Sequence, residues 1–223
     1  MHHIQRKILD LLMHAPALNY AQMRPKGVES NHFAYHLDQL VRAGLVVKND
    51  RAYSLTTEGL GLVDRVSHAD ITVRSQPHIV TTICITNDAG QVALVQHEYQ
   101  PYLHFIGFPQ GRLHYGETVA EAANREVFEK TGLQDVVLTL RGNIFITATK
   151  DDTDVSRISS YVFTGTVTGK PKLVLTDPTK GKVLWADPVK YDKKSCMPGF
   201  RKIRKLLDTP GEFFFAETQA ELE

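Results

Sequence analysis

The stretch that decides the fold runs from Gly111 to Leu133, GRLHYGETVAEAANREVFEKTGL. Thr118-Val-Ala-Glu121 is a capping box, so a helix begins at Thr118 after a loop that ends at Glu117. Val119, Ala122, Ala123 and Val127 recur at helical spacing and give that helix an apolar face for a sheet. On another face, Glu126, Glu129 and position 130 stand at i, i+3 and i+4 and crowd one patch. Three carboxylates placed there repel one another unless a divalent cation neutralises them. Hard oxygen ligands in that arrangement suit Mg²⁺, which keeps several waters and bridges to substrate phosphate. Position 130, however, is lysine. Gly132 supplies the left-handed residue that a helix C-terminus prefers.

The spacing resembles the Nudix box, G-x5-E-x7-R-E-U-x-E-E-x-G-U, where U is a bulky aliphatic residue. Gly111, Glu117, Arg125, Glu126, Val127, Glu129, Gly132 and Leu133 fall in register, and Lys130 stands where the pattern has glutamate. The resemblance implies an α/β/α sandwich with a mixed sheet, and a site for Mg²⁺ or Mn²⁺. It assigns Glu126, Glu129 and the backbone carbonyl of Gln110 to the metal. Arg125 orients the carboxylates, and Glu126, Glu129 and Arg125 form the catalytic set. Gly111, Glu117 and Gly132 shape the box. An ammonium cannot ligate a hard cation. Glu126 and Lys130 instead form an i, i+4 pair in the favourable order, worth about 0.2–0.5 kcal/mol on an exposed helix. Glu126, Glu129 and the Gln110 carbonyl would then hold one hydrated ion.

A second unit precedes this one over residues 1–68, with a linker at 69–76 and the Nudix unit at 77–223. Ile4, Ile8, Leu11 and Leu12 mark a helix over residues 3–14, and a short helix lies around Asn19–Arg24. Ser30 caps a third helix, whose Phe33, Leu37, Leu40 and Val41 form an apolar seam. Strands at Leu45–Lys48 and Ala52–Leu55 turn at Asn49-Asp50, and a helix runs from Thr57 to about Val66. That order, with the run YHLDQLVRAGLVVKNDRAYSLTTEG from Tyr35 to Gly59, resembles a winged helix-turn-helix of bacterial regulators. The resemblance implies that Asn31, His32, Tyr35 and His36 face a major groove. Arg24, Lys26, Lys48 and Arg51 are then placed for phosphates. Basic and acidic residues nearly balance over residues 1–68. One copy would bind duplex DNA weakly, so a homodimer is expected if DNA is the target. A winged helix used for dimerisation or protein contact is the alternative. The histidines read as solvated polar-face residues, since nothing pairs them at zinc spacing.

In the second unit, His78–Thr86 and Gln91–Gln96 read as an apolar hairpin turning at residues 87–90, with strands at Val136–Ala148, Ser159–Thr166 and Val183–Ala186. Trp185–Pro188 and Phe200–Leu207 resemble the family's closing strand and helix. The loop YQPYLHFIGFPQG carries Tyr99, Tyr102, Phe105 and Phe108, at least half of them core and the rest free to stack on a base. Asp151, Asp152 and Asp154 read as a solvated acidic loop, with Asp177 as a weaker candidate for an extra base. The triplet Phe213–Phe215 is expected to be buried, against this unit or a second subunit.

Composition fits a globular chain of 223 residues, with 42% hydrophobic and 23% charged residues. A formal net charge of +1 gives no global pull towards nucleic acid or membrane. Cys84 and Cys196 read as a core and a surface thiol. No signal peptide or bilayer-length apolar run stands out, so a cytoplasmic protein with no membrane partner is expected. Two functions follow. The first is a Mg²⁺-dependent pyrophosphohydrolase of a nucleoside diphosphate-linked compound, slowed by Lys130. The alternative is a regulator that senses a nucleotide or ADP-ribose-like metabolite and binds double-stranded DNA through its winged helix, without hydrolysing its ligand. Known fusions of this kind usually have the opposite domain order.

Overall fold

The computed structural model describes residues 1–64, 76–191, 196–209, 211 and 213–222. The chain divides into two compact units, Met1–Ser75 and Gln76–Glu223. The expected linker and the last turn of the helix towards Val66 fall almost wholly outside the described residues.

The first unit holds α1 (His3–Met13), β1 (Leu18–Asn19), α2 (Tyr20–Met23), α3 (Ser30–Arg42), β2 (Val46–Asn49), β3 (Ala52–Leu55) and α4 (Thr57–Asp64). This is the element order of a winged helix-turn-helix. Ile4, Ile8 and Leu12 of α1 meet Phe33, Leu37 and Leu40 of α3 in one core with Met23 and Val46. β1 pairs with β3, making a three-stranded sheet of order β1-β3-β2. That strand was not legible in the sequence, because two residues are too few to show alternation. The cap of α3 also differs from expectation. Its N-cap is Glu29, and Ser30 is the first helical residue, accepting a hydrogen bond from the Tyr20 hydroxyl on its backbone oxygen.

The second unit is built on an eight-stranded mixed sheet. Its strands are β4 (His78–Asn87), β5 (Val92–His97), β6 (Ile106–Gly107), β7 (Gln110–Arg112), β8 (Leu138–Lys150), β9 (Thr153–Val167), β10 (Gly181–Ala186) and β11 (Phe214–Glu221). The main path is β10-β5-β4-β9-β8-β11, with β6 on β5 and β7 on β4. Helix α5 (Val119–Thr131) covers one face and α6 (Phe200–Leu207) the other, and β4 serves both. Its Ile83 and Ile85 pack with Ala123 and Val127 of α5, while Val80 and Cys84 pack with Phe200 and Ile203 of α6.

The turn at residues 87–90 and the exposure of Asp151, Asp152 and Asp154 are as expected, while the strand pairing, the length of the acidic loop and the phenylalanine triplet differ. β4 and β5 are paired through Thr86–Val92 alone, and β4 instead runs parallel to β9 along its length. Asp151 and Asp152, with φ of 50° and 59°, are the two central residues of a tight hairpin between β8 and β9. Phe214 and Phe215 open β11, with Phe213 just before it; β11 is an edge strand parallel to β8 whose side chains alternate in burial. Phe214 packs on the core, but Phe213 is 58% and Phe215 70% exposed. Strand periodicity sends consecutive residues to opposite faces, so the triplet cannot be buried as a block. Among the described residues, no helix is long and apolar enough to cross a membrane.

Candidate functional site

The N-terminal end of α5 is locked to the loop before it. Thr118 Oγ1 accepts from the Glu121 amide at 3.2 Å, and the Thr118 amide donates to Glu121 Oε2 at 2.7 Å, which closes the capping box. At the other end Gly132 has φ of 72°, the left-handed cap that its lack of a side chain permits.

Arg125 ties loop, strand and helix together. Its Nε and NH2 donate to the two oxygens of Glu117 at 2.7 and 3.0 Å, its NH2 donates to the Arg112 carbonyl at 3.0 Å, and its NH1 donates to Glu126 Oε1 at 2.6 Å. The bidentate guanidinium and the His114 amide hold the Glu117 carboxyl down at about 2. The same two carboxylates push the Arg125 value up. Gly111 lies in β7, opposite Thr81 of β4. A Cβ there would overlap the Glu126 carboxylate, so only glycine lets that side chain lie against the strand.

Glu126 is buried, with its side chain 4% exposed. Oε1 is taken by Arg125, and Oε2 has no hydrogen-bond partner. The cation facing Oε2 is Lys130 Nζ at 3.8 Å, on a side chain only 14% exposed. Glu129 is more open, and its Oε1 lies 3.5 Å from Arg125 NH1. His97, at the end of β5, is 5% exposed and has no partner on either ring nitrogen. Burial, and then the Lys130 ammonium, push the His97 imidazole down to about 4. Val95, His97, Tyr99, Gln110, Lys130, Leu175 and Lys180 line a shallow depression at this corner. Thr176 donates to the Glu129 carbonyl and Val174 to that of Thr131, both at 2.9 Å, which seats the segment bearing Leu175 along the end of α5.

Lys130 weakens this donor set for a hard divalent cation, although Glu129 remains open beside it. Both Glu117 oxygens and Glu126 Oε1 are held by Arg125, and the remaining Glu126 oxygen faces an ammonium. A dication there would meet a like charge one helical turn away.

The structure therefore gathers Gln110, Gly111, Glu117, Arg125, Glu126, Glu129 and Lys130 around one corner. His97 and Lys180 join them unannounced. Their available signal was modest: His97 ends an apolar strand just before the aromatic loop. In that loop Tyr102 and Phe108 are core, whereas Tyr99 is exposed with its ring 5.4 Å from His97. Asp177 accepts from Thr179 and pairs with Lys180 at 3.5 Å, and Asp154 pairs with Arg157. Cys84 is buried, and Cys196 donates to the Tyr191 carbonyl.

In the first unit, Asn31, His32 and Tyr35 are exposed on α3, and Lys48 and Arg51 are exposed at the β2–β3 hairpin. His36 is buried instead, with its ring stacked on His2 at 3.9 Å, so it is not free to read a base. The expectation that nothing brings the histidines together is also corrected, because His2, His32 and His36 cluster.

The sequence profile described as NUDIX domain matches residues 76–202. Among solved structures, the NUDIX domain of the Shewanella oneidensis protein NrtR, crystallised with ADP ribose, superposes with a TM-score of 0.54 at 14% identity. That match covers 69% of this chain and 97% of the other. The mutator MutT protein from Bacillus halodurans superposes with a TM-score of 0.52 at 21% identity, covering 65% of this chain and 90% of its own. At such identities the likeness speaks for the fold. With the profile spanning more than half of the sequence and the box in register on α5, the chain belongs to the Nudix family.

Proposed function

We propose that the Nudix unit binds a nucleoside diphosphate-linked compound, ADP ribose being the first candidate, and that its box works poorly or not at all as a metal-dependent hydrolase. The observation that carries this reading is the Lys130 ammonium on the free oxygen of Glu126. Lys130 and Lys180 offer ammonium groups to a diphosphate at the depression, and exposed Tyr99 offers a ring to a base. Cationic side chains there do the charge neutralisation that a metal ion does elsewhere. The winged helix then reports occupancy through altered binding of duplex DNA by a homodimer, with Asn31, His32 and Tyr35 near bases and Lys48 and Arg51 near phosphates.

The second reading is the slow pyrophosphohydrolase using Mg²⁺ or Mn²⁺. It is favoured by the buried Oε2 of Glu126, which accepts no hydrogen bond and which a metal ion would satisfy if Lys130 swung away. A panel of NAD, ADP ribose, dinucleoside polyphosphates, nucleotide sugars and nucleoside triphosphates, each with and without Mg²⁺, separates the two. Thermal stabilisation without product supports the sensor, and metal-dependent turnover overturns it in favour of the enzyme. Duplex binding that weakens steeply with salt supports the DNA-reading role, and its absence at low ionic strength removes that role.

A further inference from the structure

The winged-helix unit holds a second group of chemistry-bearing side chains that the reading above does not use. His32 and His36 stand at i, i+4 on α3, and their Nε2 atoms share a hydrogen bond at 3.2 Å, whose proton a metal would displace. A tetrahedral ion with metal–nitrogen bonds of about 2.0–2.1 Å needs its ligand nitrogens about 3.3 Å from each other. The helix therefore already sets two imidazoles at coordination spacing. His2 supplies the third, from the residue that caps α1. One nitrogen from each of the three rings can be chosen so that all lie within 4.8 Å of one another.

The two helices are held in this relation independently of the rings. Gln5, in the first turn of α1, donates from its amide to Gln39 of α3 at 2.9 Å. Beneath them, Ile4 and Ile8 pack with Phe33 and Leu37. His36 Nδ1 is buried and makes no hydrogen bond of normal geometry, although the Gln39 side chain lies close to the ring.

We infer that His2, His32 and His36 form a binding site for a transition-metal ion of the Zn²⁺ class, pinning the start of the chain to the recognition helix. Three imidazoles with no thiolate suit Zn²⁺ among the borderline metals and leave a fourth position for water. His2 must turn out of its stack on His36, because parallel rings do not aim their lone pairs at one point. It also gives up the hydrogen bond that its Nδ1 accepts from the Ile4 amide. In exchange, His32 is fixed beside α1 rather than free at the exposed face of α3, so metal and DNA compete for that side chain.

The test is calorimetric titration of the chelator-treated 223-residue chain with ZnCl₂, in excess Mg²⁺ to occupy carboxylate sites. His32→Gln is the main variant, chosen because His32 is exposed and its loss spares the core. His14→Gln, outside the cluster, is the control. The expected result is one Zn²⁺ per chain in the wild type and in His14→Gln. In His32→Gln the affinity falls by at least about tenfold, the effect that loss of even an outer-shell partner produces. Co²⁺ in place of Zn²⁺ should give the visible absorption of a tetrahedral site in the wild type and lose it in His32→Gln. Absence of saturable Zn²⁺ binding, or equal affinity in His32→Gln and the wild type, overturns the assignment.

Discussion

Lys130 Nζ stands 3.8 Å from Glu126 Oε2, the oxygen of that buried carboxylate which Arg125 leaves free. One residue thus changes the chemistry of an otherwise complete box. It sits on the same helix face as Glu126 and Glu129, so its ammonium lies where the pattern places a third carboxylate. The site keeps its frame, namely the Arg125–Glu117 clamp and the glycine beside Glu126, and changes its charge.

That clamp has a pH signature. Glu117 is held at about 2, against an ordinary value of 4.5, chiefly by the Arg125 guanidinium. The unfolded chain therefore binds the proton more readily, and stability rises with pH across this interval. The contribution is complete above 4.5 and is lost as pH falls towards about 2. Glu117→Gln is expected to be less stable than the wild type at pH 7, with the gap closing on acidification. Urea unfolding at pH 7, 4 and 2.5 measures it. A gap that stays constant with pH would contradict the pairing.

His97 gives a second signature at higher pH. Its value is lowered from 6.5 to about 4 by burial and by Lys130. The unfolded state again takes up the proton first, so this group costs stability as pH falls from 6.5 to 4. Because neither ring nitrogen has a partner, His97→Phe sacrifices no hydrogen bond and should flatten the stability profile over that interval. In NMR the His97 ring should remain neutral at pH 5.5 in the wild type. Titration near 6.5 would show that it is not buried beside an ammonium.

Gly111→Ala tests the close approach of β7 and α5. The added methyl meets the Glu126 carboxylate, which cannot retreat without leaving Arg125. Overpacking of this kind costs about 1–3 kcal/mol. Denaturant unfolding should show a loss in that range, and weaker binding of whichever panel compound stabilises the wild type. A neutral substitution would mean the carboxylate lies elsewhere.

Much of this was legible in the sequence because it is local. The capping box at Thr118, the apolar stripe through Val127 and the glycine stop at Gly132 are each set within a few residues. The pairing of β4 was not legible, since hydrophobic alternation marks a strand without saying which strand lies beside it. His97 was missed for the same reason: its role depends on a lysine that the fold brings from thirty-three residues away. The exposed Phe213 and Phe215 show the complementary limit: an apolar run looks like one block in sequence, whereas strand geometry sends neighbouring residues to opposite faces. His2 and His36 illustrate the point again, because only the packing of α1 on α3 brings them together.

The central claim, that Lys130 occupies the place of a metal ligand, is tested most directly by Mg²⁺ titration of the wild type and Lys130→Glu. Charges about 4 Å apart near a protein surface interact by about 4 kcal/mol, and even part of that exceeds the 1.4 kcal/mol that makes a factor of ten. The account predicts Mg²⁺ affinity at least about tenfold higher in Lys130→Glu. It also predicts a slightly less stable metal-free variant, which loses the i, i+4 pair for two like charges. Equal Mg²⁺ affinity in the two proteins would show that position 130 does not face the metal, and would contradict the account.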